Sequence, residues 1–280
     1  MNISRLVLVT ALGLGLSSTG CLGNTDPLAE DIEPPHLKTL ADPGGGVGPN
    51  GLPPASFHAT KLLLMSAMNS RLVTGSSQIS NIVVNDSLLP SNEGKDAFPY
   101  AMRCALSSTT SVFSVNAVEY PGSGFLQTTG GWLTGGLQQG PRQDIFACIL
   151  AHLNPSTQAV DILLSGASVK LSSTQLDLDQ FTFDEAVWGV TVSSSFGLTL
   201  NVWPMSDLES ACGRRVFSTL QTRVCGGYDG NCDINVRNDL ATACTSSTSG
   251  HYTCNGQPAL RTRLRPQSVS VLHNGCAPLP

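Results

Sequence analysis

Apolar residues recur along this chain with two periods, and the change between them divides it. Ser56–Val73, SFHATKLLLMSAMNSRLV, carries a broad apolar face at helical spacing, with Ser56 as its N-cap. Asp96–Leu106, DAFPYAMRCAL, predicts a second short helix, with Pro99 in its first turn and Cys104 near its end. Pro141–Asn154, PRQDIFACILAHLN, predicts a third. There Ile145, Cys148, Ile149 and His152 fall at i, i+3, i+4 and i+7, so Cys148 points inward and His152 sits at the core edge.

A period of two holds elsewhere. Val112–Tyr120 alternates, with Phe113, Val115 and Ala117 on one face. Ile82–Val84 reads as a short strand, and the glycines from Gly122 to Gly136 read as a loop around Trp132. From Gln158 on, Val160–Leu164, Ala167–Leu171 and Leu198–Val202 predict strands. Gln175–Phe183 predicts another, with a bulge where the phase slips between Leu178 and Phe181. The fold class is α+β: short N-terminal helices packed on a mainly antiparallel β-sheet region, then a disulfide-rich C-terminal subdomain. The boundaries expected are 56–205 for the α+β domain and 206–280 for the cysteine-rich part.

The first 55 residues obey neither period. Arg5, the apolar run Leu6–Leu16 and the small residues after it have the three-part form of a secretory signal, and the run is too short to span a bilayer. Ser18-Thr19-Gly20-Cys21 resembles a bacterial lipobox, with Ser18 where that motif usually has Leu. The resemblance implies a signal peptide over 1–20, a diacylated Cys21 and membrane attachment through that lipid. Residues 21–55 are rich in proline, include Gly44-Gly45-Gly46, and predict a disordered tether in which His36 is solvated. The expected location is the cell envelope, at the outer membrane or cell surface.

Composition narrows the function classes. Of 280 residues only 12% are charged, about half the usual quarter. Net charge is −5; residues 22–200 hold fifteen acids and seven bases, and residues 201–280 five acids and seven arginines. Neither part is basic enough for a nucleic-acid partner. The nine cysteines are the strongest chemical signal. With Cys21 lipidated, eight remain, an even number that export would oxidise. Cys104 and Cys148 lie on helices, remote from the rest, and are expected to pair. Cys212, Cys225, Cys232, Cys244, Cys254 and Cys276 allow fifteen pairings, and spacing does not choose among them. It also fits no zinc knuckle, and no motif calls for a cofactor.

Three weaker patterns carry chemistry. Asp177, Asp179, Asp184 and Glu185 form an acidic cluster of the kind that serves hydrolysis, although Asp177 and Asp179 would share one solvated strand face. Asp229–Asn235 begins like a calcium loop but has Ile234 in place of the sixth-position glycine and Leu240 in place of the final glutamate; a disulfide-pinned turn explains it better. Arg261, Arg263 and Arg265 alternate and predict a basic strand face. His58 reads as a surface residue near a helix start, and Trp188 and Trp203 as core. G-x-S-x-G, H-E-x-x-H, P-loop and C-x-x-C-H motifs are missing from the sequence.

The strings RCAL at Arg103–Leu106, GWLTGGL at Gly131–Leu137, ACILAHLN at Ala147–Asn154 and FDEAVWGV at Phe183–Val190 resemble a pattern in cysteine-rich lipoproteins of large-genome predatory and social bacteria. The likeness spans about residues 58–225 and implies no activity. The expected function is a membrane-anchored, exported binding or structural module with a cell-envelope or extracellular ligand. The alternative is a cell-wall or polysaccharide hydrolase using the acids of 177–185.

Overall fold

Ten residues from Phe183 to Val192 form strand β7, buried on both faces along most of its length. Such a strand needs cover on each side, and the rest of the chain supplies it. The computed structural model describes residues 46–75, 77–79, 88–156, 158–171, 175–193, 197–207, 209–226, 232–273 and 276. All belong to one compact unit, Thr39–Pro280.

β7 pairs antiparallel with β8 (Leu198–Pro204) on one side and β12 (Gln257–Leu264) on the other. The sheet continues from β12 to β6 (Val160–Ser165) and β1 (Gly46–Asn50), and from β8 to the short parallel strand β9 (Ile234–Val236). β10 (Cys244–Ser246) and β11 (Tyr252–Cys254) extend β12 as a hairpin. A smaller sheet holds β2 (Val73–Thr74), β3 (Gln78–Ile79), β4 (Ser111–Phe113) and β5 (Glu119–Pro121). The α+β class therefore holds, with mainly antiparallel pairing.

Three helices form the main core on one face of the large sheet. These are α1 (Pro54–Met68), α2 (Asn92–Ala105) and α4 (Gln139–Ala151). In α4 every residue from Ile145 to Ala151 is buried, because the sheet lies on one side and α1 and α2 on the other. Fully burying one Leu, Ile or Phe side chain contributes about 1.5–3 kcal/mol, so this layer is a large stabilising contribution. Cys104 and Cys148 are joined, with Cα atoms 6.0 Å apart, and tie α2 to α4. The six tail cysteines pair as Cys212–Cys276, Cys225–Cys232 and Cys244–Cys254.

Several local expectations are corrected. Gln175–Gln180 is a short helix, α5, rather than a bulged strand, so Asp177 and Asp179 share no strand face. Alternation over six residues fits a helical turn as well as a strand; the Phe181 amide donates to the Asp177 carbonyl, and the Phe181 ring is buried at the end. Ala167–Leu171 is turn and coil. Val112–Tyr120 is a hairpin, β4 and β5, because Ala117 takes φ +60 at the turn. The glycine loop contains a helix, α3 (Thr129–Thr134), whose Trp132 is buried and donates its indole N–H to the Ala67 carbonyl. α1 starts at Pro54 and α2 at Asn92, capped by Ser91, so Pro99 is inside α2. The expected tether ends before Ala55, since Gly46–Asn50 pairs with β6. The run Ile82–Val84 and the signal segment lie outside the described residues. Among the described residues no helix is long and apolar enough to cross a membrane.

Candidate functional site

Asp184 and Glu185, two of the acidic residues singled out by spacing, are held by different partners. Glu185 is fully buried. Asp184 pairs with Arg263 and Ala186 with Thr262 in the register between β7 and β12, so Glu185 is the extra residue of a bulge. The bulge turns its carboxylate inward, where Arg223 forms an ion pair with it. Thr262 donates its hydroxyl to Glu185 Oε2 at 2.9 Å, and His273 Nε2 lies 3.0 Å from Oε1. Burial pushes the Glu185 pKa up, but the Arg223 charge and the His273 contact outweigh it and bring it to about 2. A carboxylate locked this way has no proton to give and no access to substrate. Asp184 instead meets Arg261 and Arg263, and Asp161 meets Arg265, so the expected basic strand face is neutralised by acids. Asp177 and Asp179 stay on α5.

Arg223 has a second role. It sits in the last turn of α6 (Ala211–Cys225), and its Nε and Nη2 donate to the carbonyls of Leu153 and Ala151 at 2.6 and 2.7 Å. Those carbonyls lie at and just past the C-terminus of α4, so one guanidinium joins two helices and the sheet. It also lies 5.3 Å from the Trp188 ring. His273, the residue after α7 (Pro266–Leu272), completes the cluster through Thr219 at 2.6 Å. This arrangement is a keystone, closed to ligands.

His58 is buried, not on the surface, with Nε2 2.9 Å from the Val224 carbonyl, and burial lowers its pKa. His152 is buried as the C-cap of α4, and burial lowers its pKa to about 4. Its ring approaches Cys104 and Cys148 within 4.8 Å, the geometry of a metal trio. Those sulfurs are bonded to each other, so they offer no thiolate to an ion. Residues 229–231 of the calcium-like loop lie outside the described residues; in the rest of it, Asp233 bonds Lys61 at 2.5 Å and Asn235 faces elsewhere.

Where Asn235 faces is the arrangement that can bind something. β7 and β8 send Trp188, Val190, Leu200 and Val202 toward the helices, so the alternate residues appear on the opposite face. Part of that face is covered: Val187 and Trp203 pack with Cys244, Cys254 and Ala259 from the C-terminal hairpin. The hairpin stops short of the sheet edge. Thr191, Thr199, Asn201 and Asn235 then remain as the floor of a cleft of about 560 Å³.

Each wall has a local cause. Gly189 stands opposite Asn201. A Cβ there would come within 2.8 Å of Trp203, so only glycine lets the indole lie across β7 beside the floor. Trp203 donates its N–H to Asp239 at 2.9 Å. Arg237 grips the same carboxylate through Nε and Nη2, at 2.9 and 2.5 Å. Those hydrogen bonds hold the Asp239 pKa down at about 2 and raise that of Arg237. The opposite wall is Asn255, held at φ +51 in the two-residue Asn255-Gly256 turn between β11 and β12. The Cys244–Cys254 bridge fixes that hairpin directly beside the turn.

One atom stands out. Asn201 is 4% exposed, lines the cleft floor, and its Oδ1 has no hydrogen-bond partner. An unpaired buried acceptor costs about 1–3 kcal/mol. Sequence reading missed this residue because an asparagine inside a strand carries no motif. The available signal was the alternation Thr199–Asn201–Trp203, polar at two of three positions on one strand face.

Comparison with family models, curated proteins and solved structures finds no match for this chain.

Proposed function

We propose that this protein is an exported, lipid-anchored binding module whose ligand is held in the cleft over β8 and β9. The observation that carries the reading is Asn201, a nearly buried asparagine on the floor of a polar recess whose Oδ1 has no hydrogen-bond partner. The recess is preorganised by Gly189, the Arg237–Asp239 pair and a disulfide, and rigid placement of polar groups lowers the ordering cost of binding. The cysteine count supports export and anchoring: eight of nine are paired within the folded body, and Cys21 is the ninth. A binding role also agrees with the sealing of Glu185 and the pairing of Asp184 with Arg261, which commit these two acids to different partners.

The test of the site is solvent mapping. Crystals soaked separately in isopropanol, acetamide and ethylene glycol are expected to show overlapping probe positions at Asn201. A second groove lies between α2 and the β4–β5 hairpin, lined by Pro99, Arg103, Val115, Val118 and Tyr120; probes that avoid the cleft and gather there instead would overturn the assignment. The anchor is checked by palmitate labelling of cells expressing the full chain: label is expected on the native protein and absent from Cys21→Ala. Equal labelling of both removes the lipid reading.

A further inference from the structure

We propose that the ligand of this cleft is an uncharged, polyhydroxylated molecule, a pyranose residue of a saccharide. The proposal rests on the cleft being the ligand site and adds its chemistry.

Charge sets the first limit. Arg237 and Asp239 are the charged side chains in the lining, and they are bound to each other through two hydrogen bonds. A phosphate, carboxylate or ammonium ligand would meet a pair whose charges already offset each other. A neutral ligand leaves it intact.

Hydrogen-bonding capacity sets the second. The lining holds four amides, from Asn201, Asn235, Asn238 and Asn255, with Asn235 Nδ2 already donating to the Leu200 carbonyl at 3.3 Å, and the hydroxyls of Thr191 and Thr199. Amides carry donors and an acceptor side by side, and hydroxyls do both. The matching ligand has groups that each donate and accept at short intervals, which describes adjacent alcohols. A peptide strand would instead seek the unpaired backbone of a sheet edge. Here the polar groups are side chains on the sheet face.

Spacing is the third. Thr191 stands opposite Thr199, and Asn235 opposite Asn201. Neighbouring strands lie about 4.8 Å apart, and residues i and i+2 are separated by about 6.7 Å. That grid has the dimensions of one sugar ring with its hydroxyls. Asn201 lies within it, and its Oδ1 has no hydrogen-bond partner. Trp203 is 1% exposed and Arg237 lies over its ring, so no indole face is open for stacking. A single sugar is therefore held weakly, in the millimolar range, and a longer glycan more tightly.

The test is a side-chain amide NMR titration of the folded, disulfide-intact protein. The probes are the neutral methyl glycosides of glucose, galactose and N-acetylglucosamine, with N-acetylalanine methylamide and inorganic phosphate in parallel. At least one glycoside is expected to shift the Asn201 and Asn235 amide signals saturably. Asn201→Leu is expected to weaken that binding about tenfold or more, equivalent to about 1.4 kcal/mol. Asn255→Gly, which suits the left-handed turn and removes an exposed side chain, is expected to weaken it too and covers the case in which Asn201→Leu fails to fold. If the amide or phosphate moves those signals and no glycoside does, the saccharide class is wrong and the cleft remains the site. If no probe moves them, or glycosides bind equally to both variants, the cleft itself is rejected.

Discussion

Replacing Arg223 by methionine tests the buried keystone. Methionine fills much of the aliphatic volume but removes the guanidinium. Glu185, fully buried, then loses its counter-charge, and the carbonyls of Ala151 and Leu153 lose their donor. Breaking a buried pair by removing one partner costs about 3–5 kcal/mol, because the remaining charge is stranded. Whole domains are stable by only about 5–15 kcal/mol, so the variant should be marginal at neutral pH. The assay is urea unfolding with the disulfides intact, for Arg223→Met, Glu185→Gln and the double variant. The double is expected to cost at least about 2 kcal/mol less than the sum of the singles, since it leaves no orphaned charge. Acid adds a second check. The folded Glu185 pKa, about 2, lies below its unfolded value near 4.3, so its contribution is complete above that value. It is lost as pH falls through 2, by about 3 kcal/mol in total. Glu185→Gln should lack that loss. An Arg223→Met penalty below about 1 kcal/mol, or strict additivity in the double, refutes the keystone.

Two further outcomes are expected. His152 is held neutral by burial with a pKa of about 4, below its unfolded value near 6.5, so it contributes stability above pH 6.5 that is lost as pH falls through 4. His152→Gln should flatten the dependence of the urea midpoint on pH in that window; an unchanged slope would show that another group produces it. Replacing Cys104 and Cys148 together by alanine opens a bridge with a sequence separation of 44 and should cost about 4 kcal/mol by chain entropy, read as a lower melting temperature under non-reducing conditions.

The sequence by itself determined the features that depend on near neighbours. Helical spacing located α4 and turned Cys148 inward, and alternation located β6 and β8. Cysteine parity pointed to four bridges once Cys21 is set aside, and the isolation of Cys104 and Cys148 singled out one of them. What tertiary structure decided lies where residues far apart meet. Proximity in sequence groups Glu185 with Asp184 in one acidic cluster; a bulge in pairing with β12, nearly eighty residues later, sends the two carboxylates to different partners. The cleft gathers β7, β8, β9 and the Asn255 turn, and no local pattern encodes which polar strand residues a distant hairpin will leave uncovered. Spacing along a chain reports which face a residue takes on its own element, whereas burial and access depend on what packs against that face.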